Sequence, residues 1–293
     1  MLTPQQKEQY FRDGFLLVPN VLTADEVAWL RAFFRPKFDA PKFLADTHHW
    51  LLDIFGRYPE VRWLCFHEPT LQIVRSLFGE DAVLLPESTA HFNYFGGWHK
   101  DTGTFDRAGR TFFKEKGYEM WTVAYYLQDN TEEYGGGLDV EPGTHREPED
   151  LIIRPPAYRT RGLVEKIWQQ IYRPAHRKYW RAWMEYDQDG YVPKTLFSIP
   201  SLAGDVVVFD SRLNHHATPV KGIVPDGGWI RRGVVPVEHE KLAIFSAWSR
   251  NNATARAYLD WNKTRKEYPH LKDFAYPPDF LQDAEKAGVK LIY

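Results

Sequence analysis

From about residue 82 onward the chain is a series of short apolar runs, each cut by Gly, Pro or Asp. AVLLPES, TAHFNYF, MWTVAYYLQD, GGLDVEPG, FSIPS, GDVVVFDS and KLAIFSAWS are rich in β-branched and aromatic residues. Runs this short, with turn residues at both ends, predict strands rather than amphipathic helices. Many such strands in succession predict a barrel or jelly roll. Aromatic residues make up 16% of the 293-residue chain, which suits strands and also an apolar cavity.

The first 80 residues have a different texture. Thr3-Pro4-Gln5-Gln6 sets a cap and a first-position proline, so a helix begins there and Gly14 ends it. FLLVPN reads as a strand. Thr23-Ala24-Asp25-Glu26 opens a second capped helix running to about Phe34, and a third helix covers Pro69 to Leu77. No repeat, low-complexity tract or linker interrupts the chain. The expectation is one domain over 1–293 with an N-terminal helical part at about 1–80. Residues 154–184 break the strand pattern. Between Arg154 and Arg181 stand eight basic residues against one acid, Glu165. This basic helical insertion, broken at Pro174, is either an amphipathic face packed on the barrel or a cover that attracts an anionic substrate.

Bulk charge narrows the partners. A formal net charge of -2 gives no global case for nucleic acid or an anionic membrane. Cys65 is the single cysteine, so a disulfide within the chain and thiolate-rich metal sites are excluded. The polar start lacks the apolar core of a signal peptide, and no apolar run approaches the roughly 20 residues of a membrane span. The expected setting is cytoplasmic. The sequence leaves the oligomeric state open.

GGWHKDTG, residues 96–103, carries the chemistry. On an extended segment, side chains two apart leave from one face, so His99 and Asp101 reach one ion while Lys100 points away. A third ligand must come from elsewhere, and histidine suits a first-row transition metal. The pair in SRLNHHATP follows the strand GDVVVFD. A two-residue period puts Val207, Phe209, Leu213 and His215 on one apolar, inward face, and Val208, Asp210, Arg212, Asn214 and His216 on the other. A bend near Ser211 would reverse that choice. An HxD alone is weak evidence. HxD with a distant strand-end histidine fits a two-His-one-carboxylate triad, which leaves positions open as Fe(II) oxygenases require.

These segments together resemble the phytanoyl-CoA dioxygenase (PhyH) family of Fe(II)/2-oxoglutarate-dependent oxygenases. LTPQQKEQYFRDGFLLVPNVLTADEVAWLR is similar to the family's opening, WHKD to its "WHxD", and WTVAYYLQDNTEEYGGGLDVEPGTHR to its "GGL" turn and "PGSHR" stretch. GDVVVFDSRLNHHATP is similar to its distal-ligand strand, with the histidine at His215. The resemblance covers about 1–150 and 200–250. It implies a mainly β fold with flanking helices, a double-stranded β-helix (jelly roll, cupin-like) core. It also implies Fe(II) on His99, Asp101 and His215, 2-oxoglutarate as co-substrate, and O2. The product side is succinate, CO2 and an oxidised C–H bond. Related halogenases carry a small residue where this chain has Asp101, so hydroxylation or another oxidation is implied instead.

The family places an arginine soon after the distal histidine, in an "R-x-A-I" pattern, for the distal carboxylate of 2-oxoglutarate. This chain departs from that pattern with a longer connection and Lys241 in KLAI. A lysine neutralises a carboxylate as a point charge rather than a fork. Arg231, Arg232 and Arg250 are rivals. Trp98, Asn93, Tyr94 and Thr218 are further co-substrate candidates, Glu87 and Asp210 candidates for supporting carboxylates, and Arg146 a candidate at the mouth. Gly135, Gly136 and Gly137 read as a turn needing positive φ. The expected substrate is a small molecule bearing a carboxylate, phosphate or thioester. Two other readings compete: a non-catalytic jelly-roll binding protein with a vestigial metal site, and a cupin-type metal hydrolase or isomerase that ignores 2-oxoglutarate.

Overall fold

The computed structural model describes residues 2–39, 50–146, 195–223, 225, 228–265 and 271–293. The basic stretch 154–184 lies outside the described residues, as do His48, His49, His176 and His270.

The caps act where their residues stand. Thr3 and Gln6 form a reciprocal capping box at the start of α1 (Pro4–Asp13), and Gly14 closes it in the left-handed region. After β1 (Phe15–Val18), Thr23 and Glu26 form a second box at α2 (Ala24–Phe38). This helix runs four residues past the expected Phe34. Pro36 falls in its last turn, and the extension seats Phe38 in the core with its ring 5.2 Å from Phe92. Packing outweighs the proline here.

The chain continues through β2 (Trp50–Leu52), α3 (Ile54–Arg57), a 3-10 stretch (Pro59–Phe66), α4 (Glu68–Phe78), β3 (Ala82–Phe92) and α5 (Thr102–Arg107). Then come β4 (Met120–Tyr126), β5 (Leu138–Glu141), β6 (Phe197–Ser198), β7 (Val206–Asp210), β8 (Asn214–Ala217), β9 (Leu242–Arg250), α6 (Ala253–Lys263), α7 (Pro278–Lys286) and β10 (Lys290–Leu291).

The strands form two sheets. The larger has the order β1-β7-β4-β9-β3-β10, with β2 beside β3; the smaller has the order β6-β5-β8. All pairs but β10 with β3 are antiparallel. The two sheets enclose Phe15, Ala124, Tyr126, Leu138, Val140, Val207, Phe209 and Ala243. The architecture is therefore mainly β with flanking helices, a jelly roll. On the outer face of the large sheet, Trp121, Val123, Val206, Val208 and Ile244 pack against Leu30, Phe34, Leu71 and Phe280 of the helices. A strand covered on both faces needs apolar residues at consecutive positions, which is why GDVVVFD does not alternate.

Two local features differ from the linear reading. AVLLPES and TAHFNYF belong to one strand, β3, whose register against β9 shifts between Leu84 and Ser88. Pro86 sits in that irregularity, where no ladder donor is needed. GDVVVFDSRLNHHATP is not one strand but two: β7 lies in the large sheet and β8 in the small one. The turn between them is closed by Leu213 N donating to Asp210 O at 2.9 Å. In the GGG turn, Gly135 and Gly136 have φ of 55° and 93°. A Cβ on Gly135 would stand 2.1 Å from Pro219 O, so no other residue fits.

Phe34 is fully buried between the helices and the sheet. Phe34→Ala is expected to destabilise the fold by about 3–5 kcal/mol through lost burial and a residual cavity, read as a lower urea midpoint with unchanged slope.

Candidate metal centre and cavity

His99 and His215 are joined before any ligand arrives. Each donates its backbone N–H to the other's carbonyl at 2.9 Å, an isolated bridge that sets the two imidazoles side by side with ring centres 4.3 Å apart. His99 Nδ1 lies 2.7 Å from Gly97 O, and His215 Nδ1 lies 2.9 Å from Leu213 O. A carbonyl only accepts, so Nδ1 carries the proton and Nε2 presents a lone pair. Asp101 stands at the start of α5. Its Oδ1 is 3.6 Å from His99 Nε2 and 3.8 Å from His215 Nε2. The three donor atoms all lie within 4.8 Å of one another.

The electrostatics of the cluster suit a cation. Burial, then the neighbouring His99, holds His215 well below the usual histidine range, so it stays neutral. Burial raises the Asp101 carboxyl, which His99 pulls back down. Two imidazoles whose Nε2 atoms face one carboxylate are a donor set for a divalent first-row metal.

A cavity of about 370 Å3 opens on this cluster. Its wall on the large sheet follows the two-residue period: Glu87, Thr89 and His91 from β3, Thr122 and Tyr126 from β4, Phe245 and Ala247 from β9. The register puts His91 and Tyr126 opposite Ala243, and Thr122 opposite Ala247. Lys241, just before β9, lines the same cavity although it is only 3% exposed. Its Nζ lies 5.1 Å from the Phe95 ring centre and has no ion-pair partner among the described residues. Burial pushes this ammonium down to about 7, against a smaller upward pull from Asp139. His91, among Trp50, Tyr94 and Phe245, is pushed down to about 3 by burial, then by Lys241 and His99.

The other residues singled out in the sequence lie elsewhere. Arg231 is exposed. Arg232 pairs with Asp39, donates to Arg35 O and covers the Phe92 ring, so it ties down the end of α2 instead of entering the cavity. Arg250 pairs with Glu119, and Arg146 is exposed. Asn93 is off the cavity wall, fully buried at φ 48°. Its Oδ1 accepts from Lys241 N at 2.9 Å and its N–H donates to Lys241 O at 2.8 Å, so it fixes the backbone that carries Lys241. Thr218 donates to Asp139 Oδ1 at 2.6 Å, on the outer side of the small sheet, where His216 Nε2 stands 3.1 Å from Asp139 Oδ2. Trp98 packs on His216 with ring centres 4.2 Å apart. Thr218, His216 and Trp98 therefore brace the strands behind the metal cluster. Asp210 holds Arg212 through two hydrogen bonds of 2.9 and 2.7 Å.

Tyr94 and Glu87 do line the cavity, with Arg265, Phe105 and Tyr258, which sequence reading passed over. Arg265 follows α6 with no motif around it, so only tertiary contact could reveal it.

Residues 10–222 match the family model for phytanoyl-CoA dioxygenase (PhyH). No curated protein sequence matches the chain. Solved structures share the fold at low identity. EvdO2 from Micromonospora carbonacea var. aurantiaca, complexed with 2-oxoglutarate, is 15% identical with a TM-score of 0.52, over 85% of this chain and 91% of that one. HygX from Streptomyces hygroscopicus, with nickel and 2-oxoglutarate bound, is 17% identical with a TM-score of 0.54, over 85% and 88%. The epimerase SnoN, in complex with Fe3+, alpha ketoglutarate and nogalamycin RO, is 19% identical with a TM-score of 0.53, over 87% and 88%. No helix among the described residues is long and apolar enough to cross a membrane. With a family match spanning both ligand-bearing segments, the chain belongs to the phytanoyl-CoA dioxygenase (PhyH) family.

Proposed function

We propose that this protein is a non-haem Fe(II)/2-oxoglutarate-dependent oxygenase that hydroxylates an unactivated C–H bond of a small molecule. One observation carries the reading: His99, Asp101 and His215 offer three donor atoms within 4.8 Å of one another, with both Nε2 atoms freed by the Nδ1 bonds. Two imidazoles and a carboxylate suit Fe(II) and leave room for further ligands. The 2-oxoglutarate, nickel and Fe3+ found in the similar structures support the same assignment. When bound, iron and 2-oxoglutarate supply the oxidising power, consuming O2 and releasing succinate and CO2.

The chain's own residues orient and shield. His99, Asp101 and His215 would hold the metal. Lys241 would receive the distal carboxylate of 2-oxoglutarate, because a buried ammonium with no ion-pair partner among the described residues gains one from that anion. Asn93 holds the backbone at Lys241 and so fixes the point from which its side chain enters the cavity. Tyr126, Phe209 and Phe245 keep the space between them apolar. A closed structural metal site has no use for a buried, unpaired lysine beside it, which disfavours the vestigial binding protein and the 2-oxoglutarate-independent hydrolase. SnoN is an epimerase, so outcome is separated from class: incorporation of labelled oxygen from O2 into product marks hydroxylation, and its absence with succinate release marks another oxidation.

Anaerobic addition of Fe(II) and then 2-oxoglutarate should raise a weak visible charge-transfer band that needs both. His99→Ala and His215→Ala should abolish it, and His216→Ala should retain it; a band surviving loss of either ligand sinks the assignment. Affinity for 2-oxoglutarate should also depend on pH. Free Lys241 titrates near 7, and only its charged form pairs with a carboxylate. Affinity is therefore full below about 7 and falls as pH rises through that value, up to about tenfold per unit. Lys241→Arg should flatten this profile, and Lys241→Met should weaken binding by about 10–100-fold at pH 6.5, both measured by titration of the Fe(II)-loaded protein.

A further inference from the structure

The cavity holds a second charged wall that neither the metal nor 2-oxoglutarate accounts for. Glu87 lies in the irregular part of β3, between Leu84 and Ser88, and faces the cavity with Thr89 and His91. Its Oε2 is buried and has no hydrogen-bond partner. A carboxyl oxygen left unsatisfied in an apolar wall is costly and uncommon in folded proteins, and such groups gather at functional sites. Burial raises its titration to about 7, with Arg265 pulling down and Asp101 pushing up. It is therefore close enough to the metal cluster to feel Asp101, yet forms no ion pair among the described residues.

Its place along the sheet separates it from the co-substrate. Lys241 lies at the His91 and Tyr126 end of β9. Thr122, opposite Ala247 and Phe209, marks the other end, and the Phe209 ring lies 4.8 Å from that of His215. Ala243 and Ala247 are four residues apart, about 13 Å along an extended strand. A 2-oxoglutarate stretched from the metal to Lys241 runs away from Glu87. Phe105, Met120, Tyr258 and Arg265 complete the Glu87 end. Resting on the oxygenase reading above, we propose that Glu87 is a substrate-recognition residue, and that the substrate presents a hydrogen-bond donor, an amine or a hydroxyl, to its carboxyl group. The bulge in β3 aims the acceptor, and the aromatic rings around it receive the substrate's apolar body.

The test uses protein loaded with Fe(II) and 2-oxoglutarate without oxygen, titrated with benzylamine, benzyl alcohol and benzoate. At least one donor probe should bind about tenfold more tightly than benzoate. Glu87→Leu should erase that preference. Glu87→Gln separates the two donors: it weakens an ammonium, which needs the charge, and spares a hydroxyl, which needs only the acceptor. Benzoate binding as tightly as both donors, or donor affinities unchanged in Glu87→Leu, would overturn the proposal. The Fe(II)/2-oxoglutarate band is recorded on the same samples. Its absence from the unmodified protein counts against the oxygenase reading, whereas no preference for a donor over benzoate in the unmodified protein, with the band intact, counts against Glu87 alone.

Discussion

Two reciprocal backbone hydrogen bonds between His99 and His215 organise the site. They tie the loop after β3 to β8 in the small sheet, and so bring the two imidazoles together whether or not an ion is present. Each ring is then turned by its own Nδ1 bond to a carbonyl two residues upstream. One short segment does two things: the turn that opens α5 brings Asp101 beside His99, and the His99 backbone supplies the partner for His215. The entropy of gathering ligands is lost on folding, with the sheet, and a metal need not repay it.

The large sheet supplies the opposing wall, and its charges show what folding tolerates for function. Lys241 and Glu87 are both taken from water without an ion-pair partner among the described residues, and burial moves each toward its neutral form. The Lys241 main chain is held by Asn93 at both its N–H and its carbonyl, which anchors the base of the side chain at the cavity. Residues that look eligible by type are spent elsewhere. Arg232 fastens α2, and Thr218 with His216 satisfies Asp139. The helices matter to the site only indirectly. By covering Trp121, Val123, Val206 and Val208 they bury the outer face of the sheet and keep its inner face in register.

Much of this was legible in linear order. The caps at Thr3 and Thr23 are local, needing only a hydroxyl and a residue three positions on, and both form as read. Gly135 and Gly136 take the positive φ expected of the turn, and Gly137 does not. His215 lines the cavity and His216 faces Asp139 although the segment turns from one sheet into the other, because Leu213 keeps the inward parity across the turn. The bend near Ser211 is where the chain changes sheets, and neither that change nor the continuity of β3 through Pro86 shows in the linear pattern. Both depend on pairing partners more than 30 residues away in sequence.

The sequence by itself determined the strand-rich class, the helix starts and the three residues able to hold a metal, because each of these follows from spacing within a few residues or from a family pattern built on it. Tertiary structure alone decided which cations and carboxyls face the cavity. Lys241, Asn93, Arg232 and Thr218 are alike in sequence as polar residues near strand ends. Only the packed fold separates the side chain left unpaired at the cavity wall from those whose hydrogen bonds are consumed in holding that wall together.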